Sequence, residues 1–374
     1  DNTVGNGLLI LNGFDYLIID GSPTLDASGN KNSNNNIDGF PNLTLSQTSS
    51  TAPIITLQND ATNNRISNCV IRGDYTSTSS GLILIGSTTG PLGNDCNEFS
   101  YNQFMDEVSN PANMIYSAGN PLYPNSCNVI EFNEFSNFTN HGISVTATGN
   151  GSDWEITSND FNCSFVASTA QTAINFVPGT NSVNNVIAFN AIGGTVDSLG
   201  GTNWVNSGNI TFNGIVMNVG TSDTSAIFNN FIAGISLTGT GTATFFAINL
   251  TGGNIQVYLN FISKSADSIT NAGNSTTIGI NSTVSSPGFV FLGGNFISEI
   301  YALGTGTGIG LRGISHIGSA GCIIIDNEVS DLTSSASTTS EITSSIIGIY
   351  SSSANTNQLI SNNLIYNLQC IHPT

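Results

Sequence analysis

An asparagine followed two residues later by a large apolar residue recurs ten times along the chain. The sites are Asn68/Val70, Asn102/Phe104, Asn133/Phe135, Asn159/Phe161, Asn190/Ile192, Asn229/Phe231, Asn260/Ile262, Asn295/Ile297, Asn327/Val329 and Asn363/Ile365. Successive sites lie 34, 31, 26, 31, 39, 31, 35, 32 and 36 residues apart, a loose period of about 33. Three residues before the asparagine another apolar residue usually stands: Phe99, Ile130, Ile156, Ile187, Val257, Leu292, Ile324 or Ile360. Between consecutive sites falls a second signature, a small residue followed by Leu or Ile. It reads Gly81-Leu82, Gly142-Ile143, Ala173-Ile174, Gly214-Ile215, Ala247-Ile248, Gly279-Ile280, Gly308-Ile309 and Gly348-Ile349, and only the interval with Asn113-Met114-Ile115 departs. A period of this length constrains the fold more than any local propensity does, because it is the mark of solenoids, propellers and arrays.

Within each unit the apolar residues alternate over a few positions, which is strand spacing rather than the spacing of a helix. The runs are short, β-branched and bounded by Gly, Asn, Ser and Thr. Short strands at a fixed long period suit a solenoid in which each turn pairs with the one before it. Inward side chains would then stack in files about 4.8 Å apart. The recurring asparagine fits a corner: it tolerates left-handed backbone, and its amide can bond its own backbone or the asparagine one coil away. The texture is even from end to end, with no charged or proline-rich linker. These features predict an all-β chain, a single right-handed parallel β-helix of about ten to twelve coils spanning residues 1–374 as one domain.

The pattern N-x-I-x-x-N-x-I followed by G-I, best seen from Asn184 to Ile192 and from Asn357 to Ile365, resembles the repeats of right-handed parallel β-helix proteins. These include pectin-lyase-like proteins and modules that bind or hydrolyse sugars. The run Tyr16-Leu-Ile-Ile-Asp20-Gly21, then Ile54–Leu57 and Asn59–Asn64, is similar to secreted and cell-surface β-helix proteins of Bacteroidota. The resemblance covers nearly the whole chain for fold. For function it leaves lyases, hydrolases, adhesins and inert fibres open, since one superfold hosts them all.

Composition narrows the choice. The chain of 374 residues carries 5 Lys+Arg against 24 Asp+Glu, a formal net charge of −19, and 52 Asn beside 41 Gly. Five basic residues cannot neutralise a phosphate backbone, so nucleic acid is not expected as a partner. No apolar run reaches the roughly 18 residues of a membrane-spanning helix. With 39% hydrophobic and 8% charged residues the chain is not of the disordered type. Asp1 reads as the first residue of a processed product. The expected location is secreted or at the cell surface.

Catalytic candidates are few. Asn140-His141-Gly142-Ile143-Ser144 resembles the G-H-G-x-S segment of polygalacturonase-type hydrolases, but that family's N-x-D segment, Asp pair and R-x-K do not follow in order. The plain alternative places His141 at an exposed turn before one more copy of the Gly-Ile strand. A lyase acting on acidic glycan needs positive charge to neutralise the substrate. The basic residues are only Lys31, Arg65, Arg72, Lys264 and Arg312. Calcium would reverse that argument, with Asp106-Glu107 or Asp326, Glu328 and Asp331 as oxygen ligands, although surface carboxylates are the simpler reading. Otherwise no cofactor is implied. Glycoside cleavage needs two carboxyl groups roughly 5–10 Å apart, and Glu134 with Asp160 on neighbouring coils is one pair that qualifies.

Three aromatic residues, Trp204, Tyr123 and Trp154, are candidates for stacking on sugar rings. Trp204 falls in the longest interval, within the loop 195–209, and most Phe residues belong to the core on this reading. Cys96 and Cys127 each stand six residues before their repeat asparagine, as vertical neighbours that can form a disulfide. The other cysteines have no mates and no metal-binding spacing. Asn42, Asn137 and Asn209 head Asn-x-Ser/Thr triplets, and Asp197-Ser198-Leu199 and Asp267-Ser268-Ile269 resemble an O-glycosylation sequon. Strands run close to both ends without a capping helix, which suits a segment of a longer chain or a fibre subunit. The expected role is a structural or adhesive module binding glycan or neighbouring subunits without catalysis. The alternative is a polysaccharide-cleaving hydrolase or lyase. Ice binding is a weaker option, lacking a regular Thr-x-Thr file.

Overall fold

The computed structural model describes residues 7–22, 43–146, 149–263, 268–306, 310–336 and 345–371. Lys31, Asn42, Lys264, Asp267, Gly308 and Ile309 lie outside the described residues. Every ladder between strands is parallel, and no helix occurs among the described residues. The chain is a parallel β-solenoid with three walls. The first is an 11-stranded sheet running from Leu9–Asn12 to Ile346–Ser351. The second, also 11-stranded, runs from Ile18–Asp20 to Gln358–Ser361. The third starts at Leu43–Gln47 and reaches Glu328–Ser334, where a second file of strands, Trp204–Asn206, Ile235–Leu237, Ile269–Asn271 and Ile300–Ala302, joins it. Eleven rungs in each of two walls agree with the ten to twelve coils expected.

The files of buried side chains follow the repeat. Phe99, Ile130, Ile156, Ile187, Ile227, Val257, Leu292 and Ile324 are stacked partners in the second wall and are all buried. In the third wall Ile71, Phe104, Phe135, Phe161, Ile192, Ile232, Ile262, Ile297 and Val329 do the same. Two sites of the repeat are therefore one residue early. Val70 pairs with Gln103 and is half-buried while Ile71 faces inward, and Phe231 is exposed while Ile232 is buried. Ile83, rather than Leu82, likewise lies in the file with Ile115 and Ile143, and Gly313-Ile314 supplies the first-wall signature near residue 310. Packing across the core explains the small residue before the isoleucine. A Cβ on Gly142 would meet the Phe161 ring at 2.6 Å, and one on Gly313 would meet Val329 at 2.4 Å. First-wall glycines thus leave room for the apolar file opposite.

The corner chemistry differs from the sequence expectation by one position. The left-handed residue is the one before the asparagine: Tyr101, Phe132, Ser158, Phe189, Asn229, Leu259, Asp326 and Asn362 have φ between 51° and 58°. Asn68 has the same conformation, so Cys69 takes the place of the asparagine in that coil. The asparagine that follows turns inward. From Asn102 through Asn133, Asn159, Asn190, Asn230, Asn260, Asn295 and Asn327 to Asn363, each Nδ2 donates to the next Oδ1 at 2.9–3.0 Å. Each backbone N–H up to Asn327 donates to that same oxygen. The amide file thereby satisfies main-chain groups that a sheet corner would leave unpaired.

Cys96 and Cys127 are joined in a disulfide between stacked corner positions, with Cα atoms 4.4 Å apart. The bond closes a loop of 31 residues. Reducing it, or substituting both cysteines with serine, is expected to lower unfolding free energy by about 2–4 kcal/mol. Urea titration with and without reductant measures this; an unchanged midpoint would show that the bond adds nothing to stability.

Candidate functional site

The outer face of the third wall carries a groove where its strands meet the corner file. The strands Gln103–Met105, Glu134–Ser136 and Asp160–Asn162 place Gln103, Glu134 and Asp160 side by side on successive coils. Alternation along a strand sends Phe104, Phe135 and Phe161 inward and these polar neighbours outward. The next residue in the column is Ala191, small enough to leave space over Asp160. Into that space folds the loop 195–202, closed by hydrogen bonds from Gly200 N–H to the Asp197 carbonyl and from Thr202 N–H to Thr195 Oγ1. The unusually long interval in the repeat thus provides an overhang as well as the extra strand Trp204–Asn206.

The groove has a volume of about 360 Å³ and is lined by Asn68, Tyr101, Asn102, Gln103, Phe132, Asn133, Glu134, Ser158, Asp160 and Asp197. Tyr101 and Phe132 form its aromatic side. Their rings are stacked, 4.9 Å between centroids and 4° from parallel, and both are about half exposed. The following corner residue is Ser158, whose short side chain does not continue the stack. One face of Phe132 therefore looks into the groove over Ser158. A second recess of about 280 Å³ lies on the other side of Glu134, between Arg72, Asp106, Glu107, Asn162 and the loop residues Thr195 and Val196.

Glu134 Oε1 accepts hydrogen bonds from Ser136 Oγ and Asn162 Nδ2, each at 3.2 Å. Asp160 Oδ1 accepts from Ser198 N–H at 3.3 Å. Burial under the loop pushes the Asp160 carboxyl above the usual carboxylate range, and the charges of Asp197 and Glu134 push the same way against the Ser198 hydrogen bond. On the neighbouring face Glu131 is also raised, first by burial and then by Glu98 and Glu155, while Arg65 opposes. Arg65 is ion-paired with Glu98 at 3.2 Å and Arg72 with Glu107 at 3.0 Å. No group of three His, Cys, Asp or Glu among the described residues stands close enough to hold a metal ion.

Of the residues singled out in the sequence, Glu134 and Asp160 meet in this groove. His141 does not. It opens the first-wall strand His141–Val145, half-buried rather than at an exposed turn, with Nδ1 3.0 Å from Asn140 Nδ2. Burial lowers its pKa to about 4. Trp154 and Trp204 are not sugar platforms, since both are fully buried. Their indole N–H groups donate to the Asn125 carbonyl and to Gln171 Oε1. Tyr123 is half-buried in the tight turn from Asn120, away from the groove lining. Exposed aromatic rings instead include Tyr101, Phe132 and Phe189 at corners and Phe231 and Phe289 on strands, which corrects the assignment of most Phe to the core. Sequence reasoning does not single out Tyr101 and Phe132, although each directly precedes a repeat asparagine, and it names Asp197 only as part of an O-glycosylation-like triplet. Comparison with protein-family models, curated proteins and solved structures finds no match to this chain.

Proposed function

We propose that the chain is a secreted or cell-surface module that binds glycan in this groove without cleaving it. The observation that carries the reading is the uncovered face of Phe132 set among Gln103, Asn68 and the carboxylates. A sugar ring has an apolar face that an aromatic ring can cover and hydroxyls that amides and carboxylates can bond. The parallel walls hold these groups on a rigid frame, so little ordering is needed on binding. The disulfide is in keeping with an oxidising compartment. Phe132→Ala is expected to weaken glycan binding about tenfold or more while leaving the melting temperature nearly unchanged, since the ring is outside the core. Calorimetric titration against a panel of neutral and charged oligosaccharides checks this. Failure of every oligosaccharide to bind would overturn the reading.

A second reading is favoured by the Glu134–Asp160 pair. Raised Asp160 has the character of a general acid, and Glu134 stands one coil away, a separation compatible with a glycosidase carboxyl pair. The open groove and the neutral hydrogen bonds that already hold both carboxyls support binding over cleavage. New reducing ends after incubation with the same oligosaccharides would decide for the hydrolase.

Association with neighbouring subunits belongs to the same proposal. Phe231, Phe261 and Phe296 stack at 4.9 Å on the outside of the third wall, presenting an apolar ridge of ring edges. Sizing across a concentration series tests it, a constant monomer counting against assembly.

A further inference from the structure

The charge of the groove says which glycans suit it. Glu134, Asp160 and Asp197 face it, and among the described residues no basic side chain lines it. The two arginines nearest along the solenoid, Arg65 and Arg72, are each committed to a glutamate. The hydrogen bonds received by Glu134 and Asp160 come from uncharged donors, so their charge is not offset locally. These carboxylates do not converge as a metal cage would. Glu134 and Asp160 are spread along the solenoid axis, one coil apart, and Asp197 reaches over from the loop. That layout matches cationic groups spaced along a polymer rather than a point ion. Phe132 requires in addition that the polymer carry rings.

We propose that the groove selects an oligomer of amino sugars with free ammonium groups, its ring against Phe132 and its ammonium groups against Asp160, Asp197 and Glu134. The inference rests on the glycan-binding reading above and names the substrate class for that site. Uronate polymers are disfavoured on the same ground, both by these carboxylates and by the net charge of −19.

The test is calorimetric titration at low salt and then at raised salt with four probes: a glucosamine hexamer, its fully N-acetylated counterpart, a galacturonate hexamer and hexalysine. Several partly exposed ammonium–carboxylate pairs predict about tenfold tighter binding of the glucosamine hexamer than of its acetylated form, with the difference shrinking as salt rises. Galacturonate should not bind. Asp160→Asn with Asp197→Asn should remove most of the difference between the two hexosamine oligomers, leaving only what Glu134 supplies, and Phe132→Ala should weaken both. Far-UV circular dichroism confirms that the variants fold, and Asp197→Lys, changed on the exposed loop alone, gives an independent reading. Equal affinity of the wild-type chain for the two hexosamines overturns the inference while leaving glycan binding intact. Hexalysine binding as tightly as the glucosamine hexamer, insensitive to Phe132→Ala, overturns it in favour of a basic peptide. Absence of all sugar binding overturns both readings together.

Discussion

Asn190→Leu is expected to lower the unfolding free energy by about 3 kcal/mol or more, because it leaves several buried polar groups without partners at about 1–3 kcal/mol each. Asn190 is fully buried. Its Oδ1 accepts from both the backbone N–H and the Nδ2 of Asn159, each at 3.0 Å. Its Nδ2 donates to the Ile156 carbonyl and to Asn230 Oδ1, each at 2.9 Å. Leucine has similar bulk but removes the acceptor shared by the Asn159 backbone N–H and Nδ2, and removes the donor to the Ile156 carbonyl and to Asn230 Oδ1, which keeps only the backbone N–H of residue 190. Asn190→Asp keeps both accepted bonds and turns the donor side into an acceptor facing two oxygens, so it is expected to be destabilising as well. Urea titration gives the size of the effect. Because coils contact only their neighbours, the break should also split the transition, seen as a shallower slope or a second phase. A Leu variant within about 0.5 kcal/mol of wild type would mean that the amide file is decorative.

Phe135→Ala should cost about 3–5 kcal/mol. The ring is fully buried between Phe104 and Phe161, with centroids 4.7 and 4.9 Å away. Removing the middle of three stacked rings opens a cavity between Phe104 and Phe161. Phe135→Leu should recover more than half of the loss by restoring most of the apolar volume. Phe132→Ala, three residues away but outside, is the matched control. If the two alanine variants melted together, the inside and outside of the wall would have been assigned wrongly.

The architecture was legible because it depends on period, and period survives small local errors. The spacing of Asn133, Asn159 and Asn190 predicted their stacking, and Cys96 with Cys127 followed from the same offsets. Two sites slipped where an Asn occupied the left-handed position itself: at Asn68 and at Asn229-Asn230 the motif reads one residue early. Hydrophobicity alone could not correct this, since Val70 and Phe231 are as apolar as the residues that truly face inward. The groove was half legible. Glu134 and Asp160 could be placed on adjacent coils, but Asp197 joins them only through a loop whose path no repeat encodes. The tryptophans misled because their size and polar N–H suit either a platform or a core with a nearby acceptor, and here Asn125 and Gln171 supply the acceptors.

The left-handed corner file has a consequence for how such a chain can change. Outside glycine and asparagine that conformation costs about 1–2 kcal/mol per residue, so Tyr101, Phe132, Phe189 and Leu259 are held there at a local disadvantage. Their side chains point away from the packed interior, and the coil closes whichever residue is present. Mutation can therefore rewrite this margin rung by rung, like type in a composing stick, altering what the surface displays while the pitch between displayed groups stays constant.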